Sequence, residues 1–194
     1  MRRAVFLDRD NTLNENDSIR ERMRHPGYLQ ELELVALMPG AAEACARLKR
    51  AGYTLVIVTN QSSVARGWAS VEQMEAVNNR VRELLRAEGG VDVDAVYTAL
   101  HYPPPEGVVA PWNVESDWRK PGPGMILAAA REMGLDLTKS WMIGDAQRDV
   151  DAALNAGIAL ERTIVVEGGR ERAERAGRRV RDLVEAAAAV LGQA

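Results

Sequence analysis

The sequence predicts an α/β fold, a three-layer sandwich in which a central parallel sheet lies between two layers of helices. Three observations predict it. Short apolar runs of strand length recur along the chain, helix-period stretches separate most of them, and polar residues close several runs where open parallel sheets gather ligands. Continuous apolar runs suit strands covered on both faces.

Ala4 to Leu7 reads as the first strand. Pro39-Gly40 then introduces a helix over Ala41 to Ala51, which Gly52 ends, and Thr54 to Val58 forms the second strand. Ser70 and Gln73 make a capping box for a helix through about Ala87, followed by a strand at Val93 to Tyr97. Met125 to Met133 is a helix stopped by Gly134, Ser140 to Ile143 a strand, and Ala146 to Ala156 a helix stopped by Gly157. Thr163 to Val166 is the last strand, and Asp182 to Leu191 an Ala-rich helix.

Asn14 to about Leu32 and the proline-rich Tyr102 to Trp118 lack periodicity and read as loops long enough to be functional. Between Arg170 and Arg181 the chain gathers arginines. Glu171, Glu174 and Asp182 interleave with them and no aromatic residue offers stacking, so a solvated face is favoured over a nucleic-acid patch.

A length of 194 residues fits a single domain, 1–194, with a sizeable core. The net charge of -3 gives no field that would draw the chain to nucleic acid or an anionic membrane surface. Cys45 stands alone in a helix, which excludes an internal disulfide and a cysteine-based zinc site and reads as core. The apolar run after Met1-Arg2-Arg3 is too short for a signal peptide and no run suffices for a membrane span, so a cytoplasmic protein is expected; a monomer is the default expectation, which the sequence itself does not decide.

Asp8 and Asp10 close the first strand. Two carboxylates so near oppose each other's ionisation unless a cation joins them, which points to a hard ion such as Mg2+. Three further clusters follow: Thr59-Asn60-Gln61, Arg119-Lys120-Pro121, and Gly144-Asp145 with Asp149. Taken singly, each reads as a turn, a cap or a solvated charge. Together they supply a nucleophile, an acid/base, a hydroxyl donor, a cation and a metal ligand.

This ordered set resembles the haloacid dehalogenase-like (HAD) phosphohydrolases, whose D-x-D-x-T motif matches Asp8, Asp10 and Thr12, with Thr59, Lys120 and Asp145 matching the later motifs. The strings Val58-Thr59-Asn60-Gln61-Ser62, Ala65-Arg66-Gly67 and Arg119 to Met125 look like the heptose-bisphosphate and histidinol-phosphate phosphatase branch. The resemblance implies a Rossmann-like, HAD-like domain. It assigns Asp8 as the nucleophile that forms an aspartyl-phosphate, Asp10 as general acid and base, and Thr59 and Lys120 as stabilisers of the phosphoryl group. Mg2+ is expected on Asp8, the main-chain carbonyl of Asp10, and Asp145. Asp149 is placed to orient Lys120 or a metal-bound water, or simply to face the helix dipole.

Many members of the family carry a cap domain between these motifs, for which this chain has no room. Specificity then falls to Asn14 to Leu32, Ser62 to Trp68 and Tyr102 to Trp118, with Asn60, Gln61, Ser62, Arg66 and Arg119 as candidate substrate-binding residues. Arg119 suits a second phosphate held bidentately, or an ion pair with Glu115 or Asp117. The branch usually binds zinc in the loop before Arg-Lys-Pro through cysteines and a histidine. Here that loop has His101 and no cysteine, so zinc is not expected, nor a metal role for His25 or His101; the prolines and Trp112 are expected to stiffen it instead. Trp68 and Trp118 either border the site or pack. The implied substrate is a small sugar phosphate, foremost D-glycero-D-manno-heptose 1,7-bisphosphate; histidinol phosphate, a polynucleotide 3'-phosphate and a non-catalytic phosphate-binding role are the alternatives.

Overall fold

The computed structural model describes residues 1–167 and 173–193. Strands β1 (Ala4–Leu7), β2 (Thr54–Asn60), β3 (Ala95–Ala99), β4 (Trp141–Gly144), β5 (Thr163–Val166) and β6 (Arg178–Val180) form one sheet. Its order is β3-β2-β1-β4-β5-β6, and every neighbouring pair is parallel. Helices α1 (Ala41–Arg50), α2 (Val71–Gly89), α3 (Gly124–Met133), α4 (Gln147–Asn155) and α5 (Leu183–Val190) cover both faces. This is the Rossmann-like sandwich expected from the alternation of strands and helices.

Because side chains alternate along a strand, adjacent core residues feed different layers. Val5, Leu7, Leu55 and Ile57 pack with α1, α2 and α5, whereas Phe6, Val56, Val58 and Met142 pack with α3 and α4. Burial on both faces explains why these strands read as unbroken apolar runs. Cys45 is fully buried on α1, and burial pushes its thiol up to about 12, so it belongs to the core.

The helix caps fall where the sequence signals them. Ser70 Oγ accepts from the Gln73 backbone N–H while Gln73 Oε1 accepts from that of Ser70, and Gly90 closes α2 in the left-handed region at φ 60°. Strand β3 starts later than the apolar run at Val93. Asp94 intervenes, exchanging bonds with Leu55 through both its N–H and its carboxylate. Strand β6 was not expected at all: it lies within the arginine-rich tail, as an edge strand, where charged residues are tolerated. In that tail Arg170, Glu171 and Arg172 lie outside the described residues, while Arg175 pairs with Asp151 and Arg181 with Glu185.

Between Asp10 and α1 the chain forms two short 3-10 turns, Asp17–Arg22 and Leu32–Leu34. Residues 102–118 form an irregular loop, in which the Tyr102 N–H donates to Trp112, and those of Val108 and Val109 to Ala65. No cap domain stands between the motifs among the described residues. Nor is any described helix long and apolar enough to cross a membrane.

Candidate active site

The strand order reverses between β1 and β4, and ligands of such sheets bind beyond the carboxyl ends at that switch point. Asp8 follows the last residue of β1, Asp145 follows the last residue of β4, and Thr59 lies at the end of β2. Sheet topology alone therefore brings three distant motifs together. Lys120 reaches them from the loop before α3, and Asp149 from the first turn of α4.

Lys120 is buried, and its Nζ donates to Asp8 Oδ1 at 2.7 Å and to the Val58 carbonyl at 2.8 Å, with Asp149 Oδ1 also at 2.7 Å. Burial alone would lower its ammonium, but the charges of Asp149 and Asp8 outweigh that and hold it above its ordinary value. Gly144 permits this approach. A Cβ there would stand 2.4 Å from the Asp149 carboxylate, whose Oδ2 also accepts from the Ala146 N–H at 3.0 Å.

Asp8, Asp145 and Asp149 each offer an oxygen within 4.8 Å of the others, all three buried. Burial, then the charges of Asp8 and Asp149, push Asp145 up to about 8. Its Oδ1 is buried without a hydrogen-bond donor, the Arg148 guanidinium standing 3.8 Å away, so an acceptor is left facing the cluster. Asn11, at φ 59°, donates to Asp145 Oδ2 at 3.1 Å and binds the start of the first 3-10 turn by accepting from the Asp17 N–H at 2.8 Å.

The Asp10 carboxylate is turned to a separate set of donors. It accepts from Arg9, from Asn14 Nδ2 at 3.2 Å, and from Gln61 Nε2 at 2.8 Å. Gln61 also donates to Thr59 Oγ1 at 2.9 Å, and Asn60 exchanges two bonds with the Lys120 backbone. A cavity of about 340 Å3 opens over this floor, within the range of small-molecule sites.

Asp8, Asp10, Thr59, Asn60, Gln61, Ser62, Arg119, Lys120 and Asp145 all line that cavity. Arg66 does not. Its guanidinium packs 4.0 Å from the Tyr102 ring centre, 5.2 Å from that of Trp68 and 5.7 Å from that of Tyr28. Arg119 lies 4.7 Å from the same Tyr102 ring with a buried Nη1 that has no acceptor, and burial above all lowers its guanidinium. No ion pair joins it to Glu115 or Asp117 among the described residues.

Trp68 packs beside the site, stacked on His25 at 4.7 Å and edge-on to Tyr28, and Trp118 packs near Tyr97. His101 is edge-on to Trp112. Sequence reasoning missed Asn11, Asp17, Arg20, Tyr28 and Arg148 as lining residues. Those from the segment 14–32 carry no periodic signal, and only the positive φ of Asn11 shows why it aims where it does.

A family model described as HAD-hydrolase-like matches residues 117–191. The D-glycero-D-manno-heptose-1,7-bisphosphate 7-phosphatase of Thermosynechococcus vestitus is 43% identical over 157 residues, which span 80% of this chain and 76% of that protein. The D-glycero-beta-D-manno-heptose-1,7-bisphosphate 7-phosphatase of Yersinia pestis is 38% identical over 86% of this chain and 81% of its own. The D,D-heptose 1,7-bisphosphate phosphatase from B. bronchiseptica, solved in complex with magnesium and phosphate, matches with a TM-score of 0.79 at 30% identity, over 99% of each chain. With the Rossmann-like strand order and the buried acid-lysine cluster in place, these similarities make the chain a member of the haloacid dehalogenase-like phosphatases, in the group that contains the heptose-bisphosphate phosphatases.

Proposed function

We propose that this chain hydrolyses the 7-phosphate of D-glycero-D-manno-heptose 1,7-bisphosphate, with Asp8 as nucleophile and Mg2+ as cofactor. The observation that carries the reading is Asp8 at the switch point, held by Lys120 at 2.7 Å and facing Asp145 and Asp149. The names of the relatives supply the substrate.

Three buried carboxylates, one with an oxygen lacking any donor, suit a hard dication with oxygen ligands. Mg2+ held by Asp8 and Asp145, with Asp149 beside them, would neutralise part of the repulsion between a carboxylate and a phosphate dianion. A carboxylate is already ionised at neutral pH and needs no separate base to attack. Lys120 adds fixed positive charge where negative charge grows in the in-line transition state. Thr59 Oγ and nearby backbone N–H groups bind phosphoryl oxygens. Asp10 gives its proton to the leaving oxygen and takes one from the water that cleaves the aspartyl-phosphate. Arg119, with its unpaired Nη1, binds the second phosphate at the mouth.

The test is phosphate release across heptose 1,7-bisphosphate, other sugar phosphates, histidinol phosphate and 3'-phosphorylated oligonucleotides, with and without Mg2+. Preference for the heptose ester, dependence on Mg2+, and loss of turnover in a folded Asp8→Asn variant are expected. A flat profile removes the substrate assignment, and turnover by Asp8→Asn removes the nucleophile.

A further inference from the structure

We infer that Asn78 and Arg9 are positioning residues for proton transfer at Asp10, linked in a relay that runs from the edge strand to the reacting oxygen. The inference rests on the reading of Asp10 as general acid. Arg9 follows the nucleophile and is fully buried. Its Nε and Nη2 donate to Asp10 Oδ1 at 3.0 and 2.9 Å, and Nη2 reaches Oδ2 at 3.1 Å. On the other side, Nη1 donates to Asn78 Oδ1 on α2 at 2.9 Å. Asn78 Nδ2 in turn donates to Thr98 Oγ1 on β3 at 3.1 Å.

Donor chemistry fixes the direction of this chain. A guanidinium only donates, so the Asn78 oxygen must face Arg9, and its nitrogen is left for the Thr98 hydroxyl. A buried guanidinium is costly unless its N–H groups are satisfied, and Asn78 holds the side that Asp10 does not. Arg9 is thereby clamped at both ends. Without Asn78 the guanidinium keeps Asp10 but loses its far anchor, and the Asp10 carboxylate, left to Asn14, Gln61 and a loosened Arg9, is aimed less closely.

That freedom costs rate because proton transfer needs the acid within about 2.6–3.2 Å of the reacting oxygen. In the first step an Asp8 oxygen bonds to phosphorus as the bond to the leaving oxygen breaks, and that oxygen takes the Asp10 proton. In the second, water attacks phosphorus, its proton returns to Asp10, and the bond to Asp8 breaks to release phosphate. A leaving group that is stable as an anion hardly needs the proton. A poorly aimed Asp10 therefore penalises basic leaving groups selectively, which general loosening of the fold would not do.

The experiment compares kcat/KM, which reports steps up to departure of the leaving group, for phenyl phosphate and p-nitrophenyl phosphate with Mg2+. Asn78→Ala should lose about tenfold or more on phenyl phosphate but less than about threefold on p-nitrophenyl phosphate. Asn78 and Thr98 line a surface cavity with Met74, Val96, Leu100 and Trp112, so the truncation enlarges open space instead of sealing a void. Thr98→Val, which frees the amide to turn, should lose in the same ratio but to a smaller extent, and it decides the matter if Asn78→Ala melts early. Equal losses on both esters, or no loss on phenyl phosphate, overturn the relay. Asp10→Asn is the control: if it hydrolyses phenyl phosphate at the parent rate, the assignment of Asp10 is wrong. If it is impaired while Asn78→Ala is normal, only the relay falls.

Discussion

Replacing Lys120 with Met would remove the buried cation that pairs with both Asp8 and Asp149. Its Nζ has three partners within 2.8 Å, and its side chain is 1% exposed, against 5% for Asp8 and 0% for Asp149. Breaking a buried pair by deleting one member costs about 3–5 kcal/mol, because a charge is left without compensation. The orphaned carboxylates can escape by taking up a proton, and that escape has its own cost of about 1.4 kcal/mol per pH unit above an ordinary carboxyl pKa of about 3.9. At pH 8 the escape costs about 5–6 kcal/mol and limits little. At pH 5 it costs only about 1.5 kcal/mol, so the destabilisation should shrink to that size. In the parent, Lys120 stays charged across this range, since its ammonium is held above its ordinary value. With about 2–4 °C of melting temperature per kcal/mol for a chain of this length, the loss is about 6–20 °C at pH 8 and a few degrees at pH 5. Thermal melts at both pH values measure it. On the role proposed for Lys120, turnover should also fall by about 100-fold or more at either pH, because a fixed positive charge beside the reacting phosphoryl group would be gone. A melting loss under about 2 °C, or one equal at the two pH values, would refute the idea that Lys120 neutralises this cluster.

Three further outcomes follow from the same geometry. Gly144→Ala should place a methyl group 2.4 Å from the Asp149 carboxylate and force it from Lys120, costing about 1–3 kcal/mol of stability with a clear loss of kcat; parent-like melting and turnover would show that the close approach is not needed. Asp145, held up at about 8, keeps a proton in the folded protein that the unfolded chain gives up near its ordinary 3.8, so stability without metal should fall as pH rises from about 4 to about 8. Mg2+ bound there, as proposed, would have to expel that proton. Titration calorimetry in buffers of different ionisation enthalpy should find about one proton released at pH 6 and almost none at pH 9, with affinity rising about tenfold per pH unit up to about 8; no release at pH 6 contradicts it.

Much of this was legible in the sequence, for a physical reason. Strands buried on both faces are written as unbroken apolar runs, and a parallel sheet puts whatever follows each run at one edge, so Asp8, Thr59 and Asp145 converge without any loop having to be foreseen. Helix ends were equally readable, because Ser70, Gln73 and the glycines act through the backbone beside them. Strand β6 was hidden because an edge strand needs no apolar pattern, and Arg178 and Arg179 sit there exposed. Arg66 stands behind the cavity lining because aromatic rings from three loops, Tyr28 of the lining among them, surround its guanidinium, a tertiary fact that no spacing encodes. Arg20 and Asn11 were missed because the turn that presents the first, and the left-handed backbone that aims the second, leave no periodic trace.

Tyr28, Trp68, Arg66, Tyr102 and Arg119 form a continuous stack of rings and guanidiniums that stitches together the segments 14–32, 62–68 and 102–118. The three loops are therefore not independent units in this protein. Transplanting any one of these loops from a relative would strand part of the stack without its counterpart, so replacing one, by engineering or natural drift, calls for correlated changes in the other two.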